Sequence, residues 1–219
     1  MIKSFYKIYD CETGGLDFRK NPITQYACII LDPRTLKEVD RWETFVKPYN
    51  NLVIEEEALR HTMVSMSDVN SGISLKRFVR TSRDFDKMHQ VKGAKNDAGR
   101  LVPVGHNITF DNGFLSYAYK LEGENYFEFV YPNFIDTFPL AKMAWGINGD
   151  EKINLSACCG YAKIKITDAH GAMNDVEATS DLLKYFIKKF RAKNGTAGSA
   201  SEEARAMGRE FFEFKCGVK

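Results

Sequence analysis

The order of strand-like and helix-like segments is the feature that most constrains the fold of this 219-residue chain. Residues 5–10, 23–31 and 39–47 are rich in β-branched and aromatic side chains and are separated by Gly-rich or Asp-Pro turns, which predicts three antiparallel strands. Helical and strand-like segments then alternate, with short strands predicted at 101–105 and 135–137. This order predicts an α/β fold with a mixed sheet and helices on both faces, although several other α/β folds share it.

The spacing of apolar residues predicts the helices that accompany this sheet. They cover residues 55–70, 74–86, 109–121, 139–145, 155–161 and 173–191. We expect Thr109 to cap the third of these helices, because a hydroxyl at the start of a helix can accept a hydrogen bond from a backbone N–H group. The segment 80–100 is charged and weakly periodic, so we expect an insert there.

Length and composition favour one domain followed by a short tail. A chain of 219 residues with 44% hydrophobic residues is long enough to bury roughly 70% of its unfolded surface. Residues 194–201 form a linker rich in Gly, Ser and Ala ahead of an amphipathic segment at 202–214. We therefore expect a domain over residues 1–193 and a linker with a C-terminal tail over 194–219.

The cysteines and the lack of a long apolar run bound the cellular setting. The five cysteines include the adjacent pair Cys158 and Cys159 and show no C-x-x-C spacing with histidines placed for zinc, so we expect reduced thiols. No apolar run approaches the ~20 residues of a membrane span, and no signal core follows Met1. We therefore expect a cytoplasmic protein that has no membrane partner. A net charge of +2 leaves other partners open.

Two acidic residues, Asp10 and Glu12, end the first predicted strand. Because they are two positions apart in a strand, their side chains project to the same side and one metal ion can meet both carboxylates. A solvated strand edge would explain such a pair equally well. Thr13, Gly14 and Gly15 follow, however, so an apolar strand delivers both acids to a turn whose backbone can approach a substrate closely. Open α/β sheets place their sites at such strand ends.

Two further acidic residues lie in the first turns of predicted helices. Asp111 follows the strand at 101–105, and Asp175 follows His170 at the start of the helix at 173–191. Acids are common at helix N-termini because they stabilise the helix macrodipole, so each of these residues alone has a structural explanation.

Taken together, these segments resemble the three exonuclease motifs of the DnaQ-like DEDDh family, in the family's order. The matching stretches are Asp10-x-Glu12-Thr13, His106-Asn107-x-x-Phe110-Asp111-x-x-Phe114-Leu115 and His170-x-Ala172-x-x-Asp175, with Asp136-Thr137 and Leu155-Ser156 as further family positions. The resemblance covers about residues 5–191 and implies a ribonuclease-H-like fold with a mixed five-stranded sheet. Met63 lies near a position where relatives often carry glycine after a histidine, which leaves the roles of His61 and Thr62 open.

The resemblance also implies an activity, a 3′-to-5′ exonuclease that uses two Mg²⁺ or Mn²⁺ ions and releases nucleoside 5′-monophosphates. Phosphodiester hydrolysis needs hard oxygen ligands for such ions and compensation for charge in the transition state. Asp10, Glu12 and Asp175 would hold one ion, Asp10 would bridge to the second, and Asp111 would act directly or through water. His170 would be the general base, because imidazole titrates near neutrality and a loop position lets it reach the attacking water.

Substrate contacts are predicted in the same motifs. The candidate substrate-binding residues are Thr13, Gly14, Leu16, Asn107 and Phe114. As in similar enzymes, Thr13 and the Gly14 backbone would position the terminal nucleotide, and Leu16 would wedge against its base. Leu16 and Phe114 fit a place in the core equally well. His106 fits a role in shaping the site better than a role in proton transfer.

The expected substrate is the 3′ end of single-stranded nucleic acid, DNA rather than RNA, in proofreading or repair. An RNA-trimming exoribonuclease is the alternative, since the same metal site cleaves both and only contacts with the 2′-hydroxyl distinguish them. A non-catalytic, polymerase-associated binding module is less favoured, because all four carboxylates are present. The segment 202–214 could dock a DNA polymerase or a second copy of the chain, or it could cover the core.

Overall fold

The computed structural model of the chain describes residues 4–91, 99–147, 154–166 and 171–193. The chain divides into two compact units, Met1–Leu182 and Leu183–Lys219. The first unit contains the whole sheet. The predicted linker and tail over 194–219 lie outside the described residues.

Five strands form one mixed sheet. They are β1 (Tyr6–Thr13), β2 (Ile23–Leu31), β3 (Glu38–Phe45), β4 (Val102–Gly105) and β5 (Ile135–Asp136). Their order in the sheet is β3-β2-β1-β4-β5. Strands β1 and β3 both run antiparallel to β2, and β4 and β5 run parallel to β1. The predicted mixed, five-stranded α/β fold is confirmed.

Seven helices accompany the sheet in the described part of the chain. They are α1 (Glu56–Thr62), α2 (Met66–Ser71), α3 (Leu75–Met88), α4 (Thr109–Leu121), α5 (Thr137–Trp145), α6 (Leu155–Ala162) and α7 (Ala172–Lys193). Helices cover both faces of the sheet. On one face, Phe78 of α3 packs its ring 5.3 Å from that of Tyr26 on β2. On the other face, Glu177 of α7 pairs with Arg41 of β3 at 2.6 Å.

Two predictions about the helices are wrong. The single helix predicted at 55–70 is two helices, because Met63 adopts a left-handed conformation with φ of 55° and Ser65 begins α2 with a capping box completed by Asp68. The predicted cap of α4 by Thr109 is absent: the N-cap is Ile108, and no side chain caps this helix. Helix α3 extends to Met88, so the first part of the predicted insert at 80–100 is helical.

The cysteines and helices also bear on the expected cellular setting. The four cysteines in the described residues, Cys11, Cys28, Cys158 and Cys159, are buried and carry free thiols. Among the helices that the structure describes, none is both long and apolar enough to cross a membrane.

Candidate active site

Three carboxylates converge where β1 ends and α7 begins. Asp10 and Glu12 project from the same side of β1, and Asp175 lies in the first turn of α7. One oxygen from each residue lies within 4.8 Å of the others, and all three side chains are half-buried. We call Asp10, Glu12 and Asp175 the acidic cluster. The structure therefore brings together three of the four carboxylates named from the sequence.

The acidic cluster holds like charges in a partly desolvated place. Burial raises the pKa of Asp10 well above its usual range, and the negative charges of Asp111, then of its two cluster neighbours, raise it further. Burial also raises the pKa of Glu12 to about 7, and the charge of Asp175 adds to this effect. Both carboxyls therefore bind protons more tightly than they would in water, which is the expected result of burial and of nearby like charges.

Asp111, the fourth carboxylate, lies beside the acidic cluster and is fixed by the backbone of β1. Its Oδ1 accepts a 2.9 Å hydrogen bond from the N–H group of Cys11, the residue between Asp10 and Glu12. Burial raises the pKa of Asp111, and the hydrogen bond from Cys11 opposes that effect. Asp111 is 4% exposed. The backbone of β1 thus fixes the position of the Asp111 carboxylate.

Gln25 of β2 positions the start of α7, a role that the sequence analysis missed. Gln25 is the cross-strand partner of Glu12. Its Oε1 accepts a hydrogen bond from the N–H group of Ala172 at 3.4 Å, and its Nε2 donates to Glu43 at 2.7 Å. This arrangement places the first turn of α7, with Asp175, over the end of β1. The sequence carried no signal for it, because the strand register and the docking of α7 are tertiary features.

The turn after β1 is held by its own hydrogen bonds. The hydroxyl of Thr13 donates to the carbonyl of Gly15 at 2.7 Å. The N–H group of Gly14 donates to Pro22, and the Gly14 carbonyl accepts from Glu55, both at 2.8 Å. Both backbone groups of Gly14 therefore have partners within the chain. A contact of Gly14 with a nucleotide would rely on the close approach that the missing side chain allows. A Cβ atom at this position would lie 2.9 Å from Pro22 Cδ, so the turn also needs glycine for packing.

Leu16 and Phe114 have opposite surroundings. Leu16 is 86% exposed in the turn after β1, whereas Phe114 of α4 is 2% exposed. The ring of Phe114 packs against Phe18 and Phe110, with centroids 6.2 and 4.9 Å away. The exposed Leu16 is free to meet a base, and a direct contact of Phe114 would first require its aromatic neighbours to move.

The turn between β4 and α4 is fixed by Asp136 and Thr137. Asn107 has φ of 61°, an exposed side chain and an N–H group that donates to Asp136 Oδ1 at 2.9 Å. The hydroxyl of Thr137 donates to Gly105, so it accepts from His106 Nδ1, which lies 2.9 Å away and must carry the proton. His106 thus links the end of β4 to the start of α5, a role in shaping the site.

Two histidines from the motifs stand differently. His170, the predicted general base, lies outside the described residues, which resume at Gly171 directly before α7. His61 lies in the last turn of α1. Met63, the C-cap residue after this helix, adopts the left-handed conformation that glycine adopts most easily. The methionine at this departure from the family pattern therefore carries a conformational cost of about 1 kcal/mol.

Divalent metal ions fit the acidic cluster on the chemistry of its donors. The three residues offer carboxylate oxygens, the hard ligands that Mg²⁺ and Mn²⁺ prefer. Among the described residues, the charges that shift the pKa values of Asp10 and Glu12 are all negative. A bound cation would compensate this charge.

Comparisons with known proteins agree with this geometry. Residues 8–183 match the RNase_T exonuclease family. Ribonuclease T from Haemophilus influenzae is 27% identical over 212 residues, which cover 90% of this chain and 86% of that protein. A PolC-type DNA polymerase III from Clostridium perfringens is 26% identical over 186 residues, covering 85% of this chain.

A solved structure of exonuclease I has a TM-score of 0.69 and 18% identity over 85% of this chain. The chain spans only 41% of that exonuclease I and 11% of the polymerase. The likeness to exonuclease I therefore concerns the fold. Because the family match covers most of the sequence, the chain belongs to the RNase_T exonuclease family, which confirms the DnaQ-like resemblance.

Proposed function

We propose that the chain is a metal-dependent 3′-to-5′ exonuclease that hydrolyses phosphodiester bonds at the 3′ ends of single-stranded nucleic acid and releases nucleoside 5′-monophosphates. The observation that carries this proposal is the acidic cluster, in which oxygens of Asp10, Glu12 and Asp175 lie within 4.8 Å of one another. Phosphodiester hydrolysis is the chemistry that such a cluster supports when it is loaded with divalent ions.

Each residue has a proposed role in this reaction. Asp10, Glu12 and Asp175 would hold two Mg²⁺ or Mn²⁺ ions, and Asp111 would act on them directly or through water. When bound, these ions supply positive charge that stabilises the phosphate in the transition state. His170 would accept the proton of the attacking water.

The proposed substrate contacts lie beside the acidic cluster. Exposed Leu16 would wedge against the terminal base, and the side chain of Asn107 is also exposed. Thr13 and Gly14 would form the floor of the terminal-nucleotide pocket through the shape of their turn, since their hydrogen-bonding groups already have partners. Phe114 would support this pocket from below through Phe18 and Phe110.

DNA is the proposed substrate and RNA trimming is the alternative. DNA is supported by exonuclease I from E. coli, whose fold this chain shares and which binds a dT13 oligonucleotide. RNA is supported by ribonuclease T, the relative that this chain matches over nearly its full length. The choice depends on whether the terminal pocket accepts a 2′-hydroxyl.

The test compares degradation of single-stranded DNA, duplex DNA and RNA of one sequence, each labelled at the 5′ end. We expect a ladder that shortens one nucleotide at a time in Mg²⁺ or Mn²⁺, little turnover in Ca²⁺ and none in excess EDTA. Asp10→Asn serves as the inactive control. Immediate release of labelled mononucleotide would show attack from the 5′ end, and activity in EDTA would contradict the metal mechanism.

We also propose that residues 1–193 form the exonuclease domain and that the tail at 194–219 docks a DNA polymerase or a second copy of the chain. The polymerase is supported by the PolC-type relative, of which this chain matches 11%. The full chain and a version ending at Lys193 are compared in two measurements. Co-purification with a replicative polymerase tests the polymerase as partner, and the oligomeric state of each version tests a second copy of the chain.

A further inference from the structure

The first two turns of α3 form a cationic groove on the surface of the protein. The groove has a volume of about 390 Å³ and is lined by Ser74, Lys76, Arg77, Arg80 and Thr81. The three cations are exposed. Arg80 makes a long contact of 3.9 Å with Asp84, and Lys76 and Arg77 have no ion pair within the part of the chain that the structure describes. The groove therefore presents largely uncompensated positive charge to solvent.

The stability of α3 does not account for these cations. Positive charges in the first turn of a helix oppose its macrodipole, and the first turn of α3 contains no acid. Ser74 already caps the helix by accepting a hydrogen bond from the N–H group of Arg77. Lys76 and Arg77 thus lie where cations are mildly unfavourable for folding, which leaves binding of an anion as the physical use of their charge.

The groove lies at the same end of the sheet as the acidic cluster. Glu12 pairs with Gln25, Gln25 pairs with Phe45, and the N–H group of Ile73 donates to the Phe45 carbonyl directly before α3 begins. Three lateral steps of strand spacing place Ile73, directly before α3, about 15 Å from Glu12 along the sheet. Helix α3 itself packs on the face opposite α7, so a nucleic-acid strand would reach the groove by passing around the β3 edge of the sheet. The other end of α3 lies far from the site, because His89 contacts Asp40 at 3.2 Å on the distal half of β3.

We propose that this groove binds the phosphodiester backbone of the substrate strand, several nucleotides upstream of the 3′ end that the acidic cluster cleaves. The proposal rests on the exonuclease function proposed above and adds a second contact to it. A polyanion whose end lies among the carboxylates needs cations elsewhere to hold it, and the groove that begins at Ser74 presents largely uncompensated positive charge. Contacts with phosphates make the groove indifferent to base sequence.

The test uses Lys76→Gln/Arg77→Gln, which removes two cations without breaking an ion pair. The matched control is Lys37→Gln/Lys120→Gln, which also removes two exposed lysines. Lys37 lies directly before β3, at the end of the sheet opposite the groove, and Lys120 lies in the last turn of α4. Binding of a 5′-labelled single strand of about twelve nucleotides is measured by fluorescence anisotropy in EDTA over a range of salt concentrations. Hydrolysis of a dinucleotide and of the long strand is measured in Mg²⁺.

We expect the groove variant to bind the long strand about tenfold more weakly, with a log–log salt slope shallower by about 1.4, since each lost phosphate contact removes about 0.7. Its hydrolysis of the dinucleotide should equal that of the wild type, because a dinucleotide does not reach the groove. The control variant should match the wild type on both substrates. Equal salt slopes for groove variant and wild type, or an equal loss on the dinucleotide, would overturn the groove proposal.

The outcomes also separate this proposal from the proposed function. A wild-type chain that binds the long strand through the groove but hydrolyses neither substrate in Mg²⁺ would overturn the exonuclease assignment and leave the groove in place. If the wild type hydrolysed both substrates and the groove variant behaved identically, the exonuclease assignment would stand and the groove proposal would be overturned. Failure of the wild type to bind or hydrolyse the long strand would overturn both.

Discussion

The Lys7–Asp86 ion pair and the acidic cluster lie on opposite sides of β1, and their charge is compensated in different ways. On one side, both oxygens of Asp86 on α3 lie close to Lys7 Nζ, at 2.6 and 2.7 Å. On the other side, Asp10 and Glu12 face Asp175, and the charges that act on them are negative. The first group is neutral overall, whereas the second carries charge of one sign.

The Lys7 ammonium group shows what compensation within the chain requires. Lys7 is fully buried, and the rings of Tyr9, Tyr26 and Tyr126 lie 5.4 to 5.7 Å from its Nζ. Burial raises the pKa of Asp86, and the charge of Lys7 opposes that effect. Lys7 is part of the chain, so it pairs with Asp86 whenever the protein is folded. Among the described residues, the charges that shift the pKa values of Asp10 and Glu12 are negative, so a cation from solution would compensate them, and this difference would make the acidic cluster responsive to metal ions.

The largest expected effect is the loss of activity when the acidic cluster is neutralised. Asp10→Asn should reduce turnover by about 10³-fold or more, because it removes a metal ligand and with it the electrostatic stabilisation of the transition state. The same change should stabilise the metal-free protein, because it relieves repulsion. Glu12→Gln, Asp111→Asn and Asp175→Asn should behave alike. Initial rates and thermal melts in EDTA check this prediction, and near wild-type turnover of any variant would remove that residue from the site.

The next effect separates proton transfer from charge compensation. His170→Ala should lower kcat by about 10²- to 10⁴-fold while Mg²⁺ and substrate affinities stay near those of the wild type, because a general base does not hold the ions. The acidic limb of the wild-type pH–rate profile should change shape, since imidazole must be neutral to accept a proton. Single-turnover kinetics over a pH series check this. Loss of activity through weaker metal binding alone would show that His170 is not the base.

Breaking the neutral pair should affect folding instead of catalysis. Asp86→Ala leaves the Lys7 charge buried without a partner and should destabilise the protein by about 3–5 kcal/mol. Lys7→Met/Asp86→Leu removes both charges and should be much closer to the wild type, because an apolar pair of similar size needs no compensation. Urea denaturation checks both variants. If Asp86→Ala lost no more stability than the double variant, buried Lys7 would not need Asp86 as its partner.

The sequence pointed to the residues of the acidic cluster, but it did not point to the Lys7–Asp86 pair. Asp10, Glu12, Asp111 and Asp175 occur in motifs that resemble those of DnaQ-like exonucleases, so their sequence context marks them. Lys7 and Asp86 are 79 residues apart, and nothing in their local sequence shows that they meet. Their pairing depends on how α3 docks on the sheet, which is a tertiary feature.

The break between α1 and α2 could have been predicted. Ser65 and Asp68 have the spacing of a capping box, which marks a helix start inside the segment predicted as one helix. Apolar periodicity alone continued through this boundary. The left-handed Met63 gave no such signal, because glycine is the residue expected there.

A smaller effect should appear in how stability depends on pH. The folded metal-free protein raises the pKa of Glu12 from 4.5 to about 7, so it holds a proton that the unfolded chain releases between these pH values. Stability should therefore be greatest below pH 4.5 as far as Glu12 is concerned, and should fall as pH rises through 7. Asp10 and Asp111, whose pKa values are also raised, act in the same direction.

Excess Mg²⁺ should weaken or reverse this dependence, because metal binding favours the deprotonated ligands. An ion at 100 times its Kd should add about 2.7 kcal/mol to the free energy of unfolding. Urea denaturation at several pH values, in EDTA and in Mg²⁺, checks the effect. Glu12→Gln is the control and should lose part of the slope in EDTA. Equal slopes in both conditions would contradict metal binding at the acidic cluster.

The smallest effect concerns Tyr9, which connects the two groups. Tyr9 lies next to Lys7 in the core, and its hydroxyl donates a short hydrogen bond to Asn112 Oδ1, beside Asp111 in the first turn of α4. Tyr9→Phe leaves this buried oxygen without its donor, so it should cost about 1–2 kcal/mol of stability. Because the bond also orients the turn that carries Asp111, the Mg²⁺ concentration for half-maximal activity should rise a few-fold while kcat at saturating Mg²⁺ stays nearly constant.

Tyr26→Phe is the matched control for this change. The Tyr26 hydroxyl is equally buried beside Lys7 but has no hydrogen-bond partner among the described residues. Its removal should therefore leave stability and the Mg²⁺ requirement close to those of the wild type, since no bond is lost. Urea denaturation and Mg²⁺ titrations of activity separate the two variants. If both variants responded equally, Tyr9 would act only by filling the core, and its hydrogen bond to Asn112 would not help to position Asp111.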